Sequence, residues 1–278
     1  MNGTLSQLVA LCSAANGVIA DRFNPDTFYP AHADFKFCNS VRFVDLKTGI
    51  PRKPCEVERH SDPNRWLHSL KQNKAVNAWL TFTATDNSDA PDHQWSASVG
   101  GGGDWKLVVA TESSAESWMS RWEITAQNAN DNRIWGVTYG CVDKSTRAIS
   151  LPQPNISAAA NRLRSALSVT QQFATKHELS TWADWFQRAL DCFDSTKPLA
   201  FPEYVQFVCL DSYPETAQRV LAASYSGWVF GGMGSWNDLG FDSKSENDRY
   251  DEISAELYAA INDAIQQSTW SFVKQRAA

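Results

Sequence analysis

Two hydrophobic periods divide this chain, and each demands a different backbone. Across residues 78–141, apolar positions recur at every second residue. Ala78, Leu80, Phe82 and Ala84 alternate with Trp79, Thr81, Thr83 and Thr85, and Trp135, Val137, Tyr139 and Cys141 share one face opposite Ile134, Gly136, Thr138 and Gly140. A strand points successive side chains to opposite faces, so this is the pattern of strands packed on a core. Further strands are expected at residues 35–46, 95–99, 105–111 and 122–125, joined by connections too short for a crossover helix, which makes the pairing antiparallel.

Behind Leu151-Pro152-Gln153-Pro154 the spacing becomes helical: Leu163, Leu167 and Phe173; then Trp182, Trp185, Phe186, Leu190 and Phe193; and last Tyr250, Ile253, Leu257, Ile261, Ile265 and Phe272. The expected fold is therefore α+β, with an antiparallel sheet from the N-terminal half packed against a helical C-terminal half. Residues 1–150 form a mainly β subdomain with an N-terminal helix, and residues 155–278 a mainly helical one, the two packed as one body.

Local signals refine this division. Leu5, Leu8, Val9, Cys12, Ala15 and Ile19 give an N-terminal helix one apolar face. A turn at Lys47-Thr48-Gly49 suggests a hairpin, and Asp62-Pro63 reads as an N-cap followed by a proline in the first helical turn. Ser157 and Ser180 or Thr181 are candidate caps, Ser212 and Glu215 have capping-box spacing, and residues 204–210 read as a single strand between helices that adds to the sheet or pairs at its edge.

The chain is long enough for a substantial core at 278 residues, with 43% hydrophobic and 20% charged. A net charge of −6 argues against a nucleic-acid partner, which needs a basic surface to neutralise phosphates. Six scattered cysteines without a C-x-x-C pair suit buried thiols in a reducing cytoplasm. No Lys or Arg precedes Arg22 to form a secretory n-region, and no apolar run reaches the roughly 18 residues of a membrane span.

The segment that ordinary packing explains least is Gly227-Trp228-Val229-Phe230-Gly231-Gly232-Met233-Gly234-Ser235-Trp236-Asn237-Asp238. Its glycines permit positive φ or close approach of another molecule, which makes Trp228, Gly231, Gly232, Gly234, Ser235 and Trp236 candidate binding residues. The bland alternative is a helix connection with Trp228, Phe230, Met233 and Trp236 filling core. A second glycine run at residues 100–103, with Gly101 and Gly102 at its centre, is expected to join two strands or to act as a flap; the two runs together are a candidate site. Neither fits a phosphate-binding signature.

His93, Asn237 and Asp238 are the polar residues best placed for acid–base work, though caps and turns use the same residue types. Glu56, Glu58, His60 and His68 are weak metal candidates, because their spacing matches no zinc or iron pattern. Neither metal nor cofactor is expected. Twelve tryptophans, among them Trp95, Trp105, Trp118, Trp122 and Trp135 near the sheet, suit core, interface or a planar sugar platform. The leading expectation is a non-catalytic module that binds another protein, in the manner of an inhibitor or toxin-neutralising immunity protein. The alternatives are an enzyme acting on a small polar molecule at the glycine loops and a carbohydrate-binding module using exposed tryptophans.

Overall fold

No charged residue interrupts the first twenty positions, and the computed structural model buries the helix they form on every side. The structure describes residues 3–48, 54–85, 91–96, 101–147, 149–194 and 206–272. Helix α1 (Gly3–Ile19) is enclosed continuously from Gln7 to Val18, so the expected single apolar face is corrected to a central helix. Its buried polar groups all find partners. Gln7 accepts from the Tyr139 hydroxyl at 2.7 Å, and Ser13 shares a 2.6 Å hydrogen bond with Tyr213.

The chain is α+β: a six-stranded, mostly antiparallel sheet in the N-terminal half and helices in the C-terminal half. The strands are β1 (Cys38–Thr48), β2 (Pro54–His60), β3 (Asn77–Thr83), β4 (Asp104–Ala110), β5 (Ala115–Ile124) and β6 (Trp135–Ser145), in the spatial order β2-β1-β6-β5-β4-β3. One pairing departs from expectation, because β1 and β6 run parallel. Short connections constrain only consecutive strands, whereas these two are separated by four others and are free to align in either direction. The β1–β2 hairpin is present, with its turn at residues 49–53 outside the described residues.

One sheet face carries Val41, Phe43, Leu80, Leu107, Trp118, Val137 and Tyr139 into the main core. There Phe43 stacks between Trp66 of α2 (Pro63–Gln72) and Tyr139, with ring centroids 4.6 and 5.0 Å away. Asp62 caps α2 as expected, accepting from the Arg65 N–H at 2.9 Å. The same apolar cluster continues into α4 (Ile156–Lys176), α5 (Ser180–Asp194), α6 (Glu215–Ser226) and α7 (Lys244–Trp270). The expected stripe of α7 is buried at Tyr250, Ile253, Leu257, Ile261 and Ile265.

Four local expectations are corrected. Asp92–Trp95 forms a helical turn, α3, where a strand was expected to begin; residues 97–99 lie outside the described residues. Residues 206–209 are not strand: Cys209 adopts a left-handed φ of +52°, which no strand accommodates. Residues 204 and 205 lie outside the described set. Helix α6 starts after Pro214 with no side-chain cap, because Ser212 is consumed in a buried 3-10 turn. Asn155, not Ser157, caps α4.

The β3 edge is sealed by side chains rather than by another strand. Asn16 of α1 accepts from the Ala78 N–H at 3.0 Å and donates to its carbonyl at 2.7 Å, reproducing a ladder rung. From α7, Gln266 accepts from the Phe82 N–H (2.7 Å), Thr269 from the Leu80 N–H (3.3 Å), and the Trp270 indole donates to the Leu80 carbonyl (2.7 Å). An edge strand with open backbone groups invites pairing with other chains. This device closes that route and ties both the first and last helices to the sheet. Asn16→Leu keeps the volume but strands two buried backbone groups, so we expect it to cost about 2–5 kcal/mol in urea denaturation. A loss under about 0.5 kcal/mol would contradict the assigned role.

Candidate functional site

The segment between α6 and α7, residues 227–243, is a loop held from beneath by buried aromatics. Gly227 ends α6 close against Leu167, where a Cβ would lie 2.9 Å from its side chain. Trp228 then turns inward and donates from its indole to the Phe230 carbonyl at 2.7 Å. Trp236 is wholly enclosed among Trp182, Phe186 and Tyr250, and its indole donates to Ser254 at 2.8 Å. Between these anchors the loop closes on itself. Ser235 donates through its hydroxyl to the Gly231 carbonyl (3.0 Å) and through its N–H to the Gly232 carbonyl (3.1 Å), while the Asp238 carboxylate accepts from the Gly234 N–H.

The sequence candidates thus separate into two roles. Trp228 and Trp236 are foundation, whereas Gly232, Met233 and Gly234 are surface, with Gly231 and Ser235 half-buried at the neck. Met233 fully exposes its side chain and does not fill core as the bland reading supposed. Gly234 has φ +84°, a conformation that favours glycine. At Gly232 neither explanation applies: its φ is ordinary and an added Cβ would meet nothing within 4 Å.

The other glycine run has an internal explanation. It leads from α3 into β4, so the simple two-strand hairpin is corrected; Gly100 itself is outside the described residues. A Cβ on Gly101 would collide with the Trp95 carbonyl, on Gly102 with Ser96 and the Tyr258 hydroxyl, and on Gly103 with the Phe82 ring. Gly101, Gly102, Gly103 and Tyr258 line a recess of about 50 Å³ with Thr4 and Trp105, room for a few water molecules. The two loops do not share that recess. Instead, buried side chains join them: Tyr258 donates to the Gly102 carbonyl and packs on Phe230, whose ring lies 6.0 Å from that of His93.

His93, Asn237 and Asp238 lie in this joint, with structural duties. Asn237 donates to the His93 carbonyl at 2.9 Å and Asp238 braces Gly234. The His93 ring is buried, and its Nε2 has no hydrogen-bond partner among the described residues. Burial holds His93 below the ordinary imidazole value, against the opposing pull of Asp251 and Asp92.

The metal candidates also separate. Glu56 is held by Arg42 and Arg121 at 2.7 Å each, and His68 pairs with Asp26 at 2.7 Å. Glu58, His60 and His68 line an open groove of about 390 Å³ beside α2. Among the described residues no group of three or more His, Cys, Asp or Glu could hold a metal ion. Sequence reasoning passed over Arg59, which lines both this groove and an adjoining cleft; alternating charge on an edge strand concealed it. No protein family, curated protein or solved structure matches the chain.

Two outcomes follow for the loop. In urea denaturation Trp236→Ala should cost about 3–5 kcal/mol and Gly234→Ala about 1–2 kcal/mol through its positive φ, while Gly232→Ala should change stability by less than about 0.5 kcal/mol. A costly Gly232→Ala would give that glycine an internal role. For His93, the folded protein refuses a proton that the unfolded chain accepts. Its neutral ring therefore gives its full stabilisation above about pH 6.5 and loses it as the pH falls. An NMR titration of the ring should show a midpoint below about 6.5, and a midpoint at or above it would contradict the burial argument.

Proposed function

We propose that this protein is a non-catalytic binding protein that captures a basic protein partner on the loop around Met233. The observation that carries this reading is a fully exposed apolar side chain on a loop fixed by two buried tryptophans. An anchored loop loses little conformational freedom on docking, and Met is a side chain that adapts to an irregular partner surface. Gly232 fits the same reading, since a missing Cβ that this chain does not need leaves room for another backbone to approach.

Charge supports a basic partner. Asp238 and Asp242 flank the loop, and Asp92 and Asp251 lie on the elements that support it; none of the four has an ion-pair partner among the described residues. With a net charge of −6, such a surface speeds capture of a cation-rich partner. An inhibitor or toxin-neutralising immunity protein is the kind of molecule this arrangement suits. All six cysteines are free thiols, which fits a reducing, cytoplasmic setting, and no described helix is long and apolar enough to cross a membrane.

The alternatives have less behind them. Among the described residues the glycine run at 101–103 lines a recess of about 50 Å³, too small for a typical substrate. A sugar platform needs parallel exposed rings, whereas Trp122 and Trp135 meet at 71° and Trp182 and Trp185 at 49°.

The test is native mass spectrometry of protein isolated from its own source, as wild type and as Met233→Asp. A stoichiometric second protein should accompany the wild type and be lost from the variant, with the melting temperature unchanged. A partner retained equally by Met233→Asp, or a wild type that carries no protein, would overturn the reading.

A further inference from the structure

A cleft of about 300 Å³ opens between the C-terminal end of α2 and the core face of the sheet, far in sequence from the Met233 loop. Polar side chains dominate its lining, with Arg59, His60, Asn73, Thr111, Ser114 and Glu116 ranged around a wall of Trp66, Trp118 and Val109. Arg59 is held in place from one side only. Its Nη1 donates to both Glu116 oxygens at 2.9 Å and to Asp45 at 3.3 Å, and its guanidinium lies 5.0 Å over the Trp118 ring.

That arrangement leaves the second edge of the guanidinium, Nε and Nη2, without a hydrogen-bond partner among the described residues. The His60 ring and the Asn73 carboxamide are likewise unengaged there, whereas Thr111 and Ser114 bond to each other at 2.7 Å. Three polar side chains with atoms left unpaired by the protein, among the described residues, therefore border one concave surface beside the Trp66 and Trp118 rings, and convergent polar groups of this kind are what orients a small ligand. The free edge of a guanidinium matches the two oxygens of a carboxylate, and an arginine already fixed by carboxylates and an aromatic ring loses little freedom in using it.

Local charge narrows the ligand class. Lys144 reaches Asp45 at 2.8 Å and Glu116 at 3.5 Å, so two cations and two carboxylates cancel behind the cleft. Burial, and next the Arg59 charge, hold His60 below the ordinary imidazole value, so it adds an uncharged donor or acceptor near neutral pH. A monoanion adds one negative charge to this balanced set, whereas a phosphate dianion adds two beside Glu116. We propose that the cleft binds a small hydroxylated monocarboxylate, its carboxylate bidentate on Arg59 Nε and Nη2 and its hydroxyls reaching His60 and Asn73. This site is independent of the docking loop and stands or falls separately from it.

Titration of the ¹⁵N-labelled full chain with D-gluconate tests the assignment, with sorbitol as the neutral counterpart and inorganic phosphate as the competing anion. The Arg59 Nε–H and Trp118 indole resonances should shift saturably with gluconate and stay unmoved by sorbitol. Arg59→Lys, which keeps the charge but loses the planar fork, should weaken binding about tenfold. Asn73→Ala, at an exposed position that leaves folding untouched, should weaken it about threefold. Absence of a saturable shift up to about 10 mM gluconate would overturn the proposal, as would equal shifts with sorbitol, stronger binding of phosphate, or unchanged affinity in Asn73→Ala.

Discussion

Burial of α1 is the constraint on which the rest of the fold depends. A helix enclosed from Gln7 to Val18 must satisfy each polar group it carries inside the protein, since none can reach water. It does so with three separate parts of the chain. Gln7 accepts from Tyr139 of β6, Ser13 bonds to Tyr213 ahead of α6, and Asn16 completes the backbone of β3. The apolar side chains between them fill the space these bonds define, so the position of α1 fixes the sheet and the helical layer together. Trp270, Thr269 and Gln266 of α7 then finish the same strand edge that Asn16 begins, and the last helix is registered against the first.

This framework explains why two similar glycine runs have opposite meanings. Gly101, Gly102 and Gly103 are small because neighbouring atoms of the same chain occupy the space a side chain would need. Gly234 answers to backbone conformation, and Gly232 to neither packing nor conformation. A surface loop with that surplus freedom, an exposed Met233 and a buried Trp236 root has the form of a preorganised contact. The buried aromatic chain from Trp236 through Tyr250, and from Phe230 through Tyr258, supplies the rigidity.

The sequence made the main layers legible because local pattern determines them. Alternation at residues 135–141 and the stripe from Tyr250 to Ile265 each report a face that packs on a core, and Asp62-Pro63 carries its capping chemistry in two residues. What escaped was nonlocal or atypical. The parallel pairing of β1 with β6 depends on strands far apart in the chain, and the left-handed Cys209 breaks an apolar run that otherwise reads as strand. In sequence Trp228 and Trp236 were the binding candidates and Met233 only a possible core filler, yet the loop geometry sends the two tryptophans inward and the methionine out. Arg59 was hidden because its importance lies in what Glu116, Asp45 and Trp118 do to it, and those residues converge only in space.

The central claim is that the Met233 loop is where this protein meets its partner, and site-specific photocrosslinking in the native cell tests it most directly. A benzophenone amino acid placed at position 233 should capture one basic protein in high yield, while the same group at Val142, exposed on the sheet, should not. Equal capture at both positions, or capture from Val142 alone, would contradict the account.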